Sequence, residues 1–174
     1  MELANWVGER KISKAEDLLI DISDLLKRSG VEKSEVTNII YSQGAGSRTG
    51  IRVGAATAKG LKLAFGGVCQ GETVLKALAL KTSKEKYFQT SVQISQTDIC
   101  RQIFERKRTD AFEMKSLPQI ISNEEFLSEI AKFEVVIFLP YKPENSLSEK
   151  NVLTIKSSEN IARLLAIASI TEFF

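Results

Sequence analysis

Residues 44–65 read Gly-Ala-Gly-Ser-Arg-Thr-Gly-Ile-Arg-Val-Gly-Ala-Ala-Thr-Ala-Lys-Gly-Leu-Lys-Leu-Ala-Phe, a glycine-rich loop running straight into a helix rich in Gly and Ala. The loop demands backbone freedom that glycine supplies, and side chains this small let another backbone come closer than Leu would allow. Immediately upstream, Asn-Ile-Ile-Tyr-Ser at 38–42 is a short β-branched run that reads as a strand. Strand, tight loop and helix in that order make phosphate cradles. The same order also launches helices toward partners.

Before the strand, residues 1–12 carry Leu3, Trp6, Val7 and Ile12 among charges and predict a strand or hairpin arm. Ser13 and Glu16 have capping-box spacing. Ala15, Leu18, Leu19, Ile22, Leu25 and Leu26 then recur at helical spacing, and Gly30 stands where a left-handed cap is wanted. After the glycine loop the small-residue helix stops at Gly66-Gly67. Residues 68–70 predict a brief buried strand, and 72–80 a helix through Val74, Leu75 and Leu78.

In the second half, residues 87–95 alternate Phe88, Thr90, Val92 and Ile94 with polar side chains, the pattern of a half-buried strand. Residues 98–107 read as its antiparallel arm or, from Ile99, Ile103 and Phe104, as a helix. Ser122 and Glu125 form a capping box for a helix with Phe126, Leu127, Ile130 and Ala131 on one face. A continuous apolar strand at 135–139 ends at Pro140, a loop covers 141–150, a strand 151–155 and an apolar helix 158–170. Alternating elements predict an α/β layered protein, its sheet largely parallel in the first half. The expected division is a first lobe at 1–82 and a smaller second lobe at 83–174.

The 174 residues hold no histidine. Ser-His-Asp and Cys-His hydrolysis and His-ligated zinc catalysis are therefore excluded. Cys69 and Cys100 show no CxxC spacing and indicate neither a zinc site nor a disulfide framework. No stretch approaches the roughly 18 apolar residues of a membrane span, and Met1-Glu2-Leu3-Ala4 lacks the positive start of a secretory leader. A cytoplasmic location with no membrane contact is expected. Arg101, Arg106, Lys107 and Arg108, with Lys81, Lys84 and Lys86 before them, could meet phosphate or form a solvated face.

As a phosphate site the glycine loop is incomplete. A Walker A loop ends in Gly-Lys-Ser/Thr, whereas here Lys59 precedes Gly60. Gly44, Gly46 and Gly50 give GxGxxxG, and Glu72 follows near the next strand, which leaves a nucleotide- or dinucleotide-binding α/β enzyme open.

Taken whole, residues 44–61 resemble the Gly-Pro-Gly-Ser-Phe-Thr-Gly-Leu-Arg-Ile-Gly-x-Ala-x-Ala-Lys-Gly-Leu signature of the bacterial TsaB family, also called YeaZ. Residues 15–80 also follow that family's order of amphipathic helix, polar connector, strand and signature. Ala45 replaces the family's Pro and Arg48 its Phe, and the Asp-Thr-Ser-like opening strand has no counterpart. The resemblance implies an actin-like ATPase (RNase H-like) fold with a truncated first lobe plus a small second lobe. It implies a non-catalytic subunit, with no cofactor, of the machinery that places threonylcarbamoyl on adenosine 37 of tRNA. Its implied partners are a TsaD-like catalytic subunit and a TsaE-like ATPase, with a homodimer possible and tRNA met only indirectly. A degenerate homologue with a lost role, and a tRNA-binding accessory using residues 101–108, remain alternatives.

The signature-loop residues singled out are Gly44, Gly46, Ser47, Thr49, Gly50 and Arg52. Ser47 is a candidate N-cap, and Thr49 and Arg52 are expected to hold the loop. The expected partner interface comprises Leu18, Ile22, Gly54, Ala55, Ala58, Leu61 and Lys62, because Gly within a helix is costly unless something approaches closely. On that reading Ala58→Arg breaks docking and spares the fold.

Overall fold

The computed structural model describes residues 2–6, 15–82, 84–109, 111–140, 147–156 and 159–174, leaving aside the side chains of Ala15, Glu16 and Glu172. Helix α1 (Ala15–Ser29) leads through a 3-10 turn at Lys33–Glu35 to β1 (Asn38–Ser42). Helix α2 (Arg48–Phe65), β2 (Val68–Glu72) and α3 (Val74–Ala79) complete the first half. Then come β3 (Tyr87–Gln93), β4 (Asp98–Arg108), β5 (Ala111–Met114), β6 (Gln119–Ser122) and α4 (Asn123–Glu129). A 3-10 turn at Ile130–Lys132, β7 (Val135–Leu139), β8 (Val152–Thr154), α5 (Ile161–Ala168) and β9 (Glu172–Phe173) close the chain.

Strands β1 and β2 pair in parallel, from Asn38 opposite Val68 to Ser42 opposite Glu72. They form a two-stranded sheet among the described residues, with α2 lying on it. Gly66 and Gly67 turn the chain from α2 into β2 with φ of 85° and 77°, and a Cβ on Gly67 would sit 2.2 Å from the Thr37 carbonyl oxygen. Only glycine fits at residue 67.

The other strands form a seven-stranded mixed sheet in the order β8-β7-β3-β4-β5-β9, with β6 also on β4. Strand β3 lies between β4, antiparallel, and β7, parallel. It is buried on both faces from Phe88 to Gln93. On one face Val92 and Ile137 pack with Leu75 and Leu78 of α3, and on the other Ile99, Val136 and Phe138 pack with Phe126, Ile130 and Phe133. Burying each such side chain stabilises the fold by about 1.5–3 kcal/mol. Phe88, Phe104, Phe112 and Phe173 stack edge and face and bring the C-terminal strand onto the sheet.

Several expectations change. The half-buried pattern at 87–95 belongs to a strand covered on both sides, its polar Gln89 and Ser91 answering each other through Gln89 Nε2 to Ser91 Oγ at 2.9 Å. The choice at 98–107 falls to the strand. The brief strand at 68–70 is an exposed edge at its start, Val68 being 56% exposed. The helix at 122–131 puts Phe126 and Ile130 inside, whereas Leu127 is 53% exposed and Ala131 is exposed too. Residues 2–6 form no strand, and the rest of the opening arm, the Ser13 cap and most of the loop at 141–150 lie outside the described residues.

Candidate functional site

The signature loop is built from its two ends. Ser42 ends β1 and its Oγ accepts from Gly44 N–H at 3.2 Å. Gly44 is buried with φ of 108°, and its carbonyl accepts from Val74 N–H at 2.6 Å. Gln43 N–H donates to the Glu72 carbonyl at 2.9 Å. The loop is thereby tied to the corner where β2 becomes α3. Ala45 packs against the cluster of Val74, Leu75, Val92 and Ile137, so the loop also touches the core of the larger sheet.

Ser47 is the N-cap of α2, accepting from Gly50 N–H at 3.3 Å. Thr49 and Arg52 stand exposed on the first turns, as do Gly46 and Gly50. Two donors that a phosphate would need, Gly44 N–H and Gly50 N–H, are already held by serine hydroxyls. The acidic residue after the loop is also engaged. Glu72 is 6% exposed, accepts from Thr73 N–H at 2.8 Å and lies 3.4 Å from Lys76 Nζ. A ribose-binding carboxylate must face a ligand, and this one is engaged by Thr73, the N-cap of α3, and by Lys76.

The expected interface residues fall on two helices. On α2, Ala58 is only 4% exposed and Gly54, Ala55 and Leu61 are half-buried, although a Cβ on Gly54 would stand in open space. Lys62 is exposed. Ala58→Arg therefore strikes the chain's own packing, which corrects the expectation that it spares the fold. The outward side of α2 carries Arg52, Ala56, Lys59, Gly60 and Leu63, with Leu63 88% exposed and open space where a Gly60 Cβ would stand. Leu18 and Ile22 share a half-buried stripe of α1 with Leu25 and Leu26, and among its described side chains α1 has none buried. Leu63 is not among the expected residues, because helical spacing defines two faces of α2 without saying which one meets the sheet.

The basic run at 101–108 is engaged within the protein. Arg101 is 8% exposed and lies 3.2 Å from Glu129. Arg106 donates to the Thr82 and Thr109 carbonyls and stacks over Phe112, 4.7 Å from the ring centre. Lys107 and Lys115 bridge Glu105 and Glu113 in a four-membered ion-pair square with contacts of 2.7–3.0 Å. Hydrogen bonds from Lys115, then Lys107, hold the Glu105 carboxyl down at about 2, and the same partners lower Glu113. Among the described residues no group of three or more His, Cys, Asp or Glu could hold a metal, and no helix is long and apolar enough to cross a membrane.

A glycine loop rising from a parallel strand pair and seated against a mixed sheet gives an α/β protein with the actin-like ATPase fold, shared by two solved structures. One is YeaZ from Pseudomonas aeruginosa, similar with a TM-score of 0.62 at 17% identity over 89% of this chain and 76% of that one. The other is an uncharacterized protein with similarity to peptidase YEAZ from Pseudomonas aeruginosa, with a TM-score of 0.63 at 17% identity over 89% and 74%. Residues 13–95 match the family model described as TsaD, tRNA N6-adenosine threonylcarbamoyltransferase. No curated protein matches in sequence. The family match falls on the part of the chain that holds the signature loop, while the likeness to the two solved structures is one of fold.

Proposed function

We propose that this protein is a non-catalytic subunit of the apparatus that forms threonylcarbamoyladenosine in tRNA, working in the cytoplasm by docking onto a TsaD-like catalytic subunit to which a TsaE-like ATPase is recruited. The family match of residues 13–95 supports the tRNA-modification role. The observation that carries the docking role is the outward side of α2, where Leu63 is 88% exposed beside the open space at Gly60. An exposed leucine next to a bare backbone suits a helix of another chain, since small residues permit close approach. The apolar stripe of α1 with Leu18 and Ile22 supplies a second contact.

The loop's own chemistry favours support over catalysis. Its buried glycine carbonyl and two of its N–H groups are spent on Val74, Ser42 and Ser47, and Glu72 is turned into α3. The test is co-elution with a TsaD-like subunit, comparing the wild type with Leu63→Asp. The variant is expected to keep its circular-dichroism spectrum and lose at least about tenfold in affinity, the cost of setting an unpaired charge in an apolar contact. Unchanged affinity would move the interface off α2.

A further inference from the structure

We propose that α2 carries a phosphate-backbone site for RNA, made by Arg48, Arg52, Lys59 and Lys62. All four are exposed, and Arg48–Phe65 contains no acidic residue. At the helical repeat they project within about 80° of one another, in a row about 21 Å long. Ala55 is the one other side chain in that arc. Among the described residues none of the four side chains makes a hydrogen bond or an ion pair. On the large sheet, by contrast, Arg101 meets Glu129, and Lys107 and Lys115 meet Glu105 and Glu113. This one helix holds four positive charges in a protein whose net charge is +2.

The placement of the row runs against local helix chemistry. The first turns of a helix favour acids because the dipole is positive there, yet α2 begins with Arg48 and Arg52 and has no acid in its first turn. A local rule broken without an internal gain marks a functional surface. The ligand that suits the row is a polyanion whose charges repeat along a line. Arginine forks and lysine ammonium groups both hold phosphate oxygens, and an alanine in their midst adds no bulk to keep a strand away. No aromatic side chain lies in the row, so the contact is to backbone rather than to stacked bases and carries no sequence preference. A protein partner fits it less well, because the centres of protein interfaces are poor in charge. The docking side at Gly60 and Leu63 lies beside the row, about a quarter turn round the helix. That the RNA is tRNA rests on the function proposed above; the row and its phosphate chemistry do not.

The experiment titrates a labelled tRNA transcript with the full chain by fluorescence anisotropy, from about 50 to about 300 mM salt. Four phosphate contacts predict that log Kd rises with log salt at a slope of about 3. Arg48→Gln combined with Lys59→Gln should weaken binding at least about fivefold and halve the slope. Its melting temperature should hold or rise, because a cation leaves the start of the helix. Lys33→Gln combined with Lys156→Gln removes the same charge from two exposed positions elsewhere and should leave affinity within about twofold. If the first variant folds poorly, the wild-type slope decides. No binding of tRNA at low salt, a wild-type slope below about 1, equal loss in both double variants, or a tighter hold on poly-glutamate than on tRNA would each overturn the proposal. None of these results touches co-elution with a TsaD-like subunit, so failure here is distinct from failure of the docking role.

Discussion

Gly67 and Gly60 mark two different uses of glycine, and each yields a prediction. Gly67→Ala drives a Cβ into the Thr37 carbonyl at a backbone angle that alanine avoids, so it should lower stability by at least about 1 kcal/mol. Chemical denaturation of the variant measures this directly. Gly60 lies inside α2 with nothing within 4 Å of the point where a methyl group would stand, so Gly60→Ala should raise the stability of the isolated chain by about 0.5–1 kcal/mol. If a partner helix seats there, the same methyl should weaken the complex. Stabilisation joined to tighter docking would remove Gly60 from the interface.

At the level of elements, the two faces of α2 separate packing from the docking proposed above. Ala58→Arg, on the sheet side, should unfold or strongly destabilise the chain because an unpaired charge would be buried; a thermal melt suffices to show it. On the larger sheet, the ion-pair square of β4 and β5 gives a pH dependence with a definite sign. Folding lowers the Glu105 carboxyl from an ordinary 4.5 to about 2, so its stabilisation is present above pH 4.5 and is lost as pH falls toward 2. Lys107 and Lys115 are raised above 10.5, and their share persists until pH climbs through those raised values. Melts of wild type and Glu105→Gln from pH 2 to 7 should converge at the acid end, and a constant gap would contradict the assignment.

Elements were legible where one period ran long enough. The β1 boundaries, the Ser47 and Ser122 caps, the end of α2 at Gly66 and the strand before Pro140 all follow from local chemistry that the structure retains. Strands β5, β6 and β9 span four, four and two residues, too few for alternation to register. Strand β3 misled because Gln89 and Ser91 look solvent-facing, yet they are matched to each other under α4. The signature loop was legible from glycine spacing and the Ser47 cap. Which side of α2 packs inward was not, since Ala55 and Ala58 are as small as Ala56 and Gly60, and burial alone tells them apart.

For the molecule as a whole, the loop after β1 ties the small sheet to the corner of α3 and, through Ala45, to the core of the large one. Two of its donors, the N–H groups of Gly44 and Gly50, are already committed, so calorimetric titration of the protein alone with ATP or NAD is expected to show no binding in the micromolar range. The central claim is that this chain assists a catalytic partner rather than catalysing. Its most direct test is reconstitution, in which the chain, a TsaD-like subunit and a TsaE-like ATPase are assayed together and singly for threonylcarbamoyl transfer to tRNA. The account predicts that the chain co-elutes with the TsaD-like subunit, is inert by itself and raises transfer when added. Transfer by the chain alone, or an assembly whose activity is indifferent to it, would contradict the account.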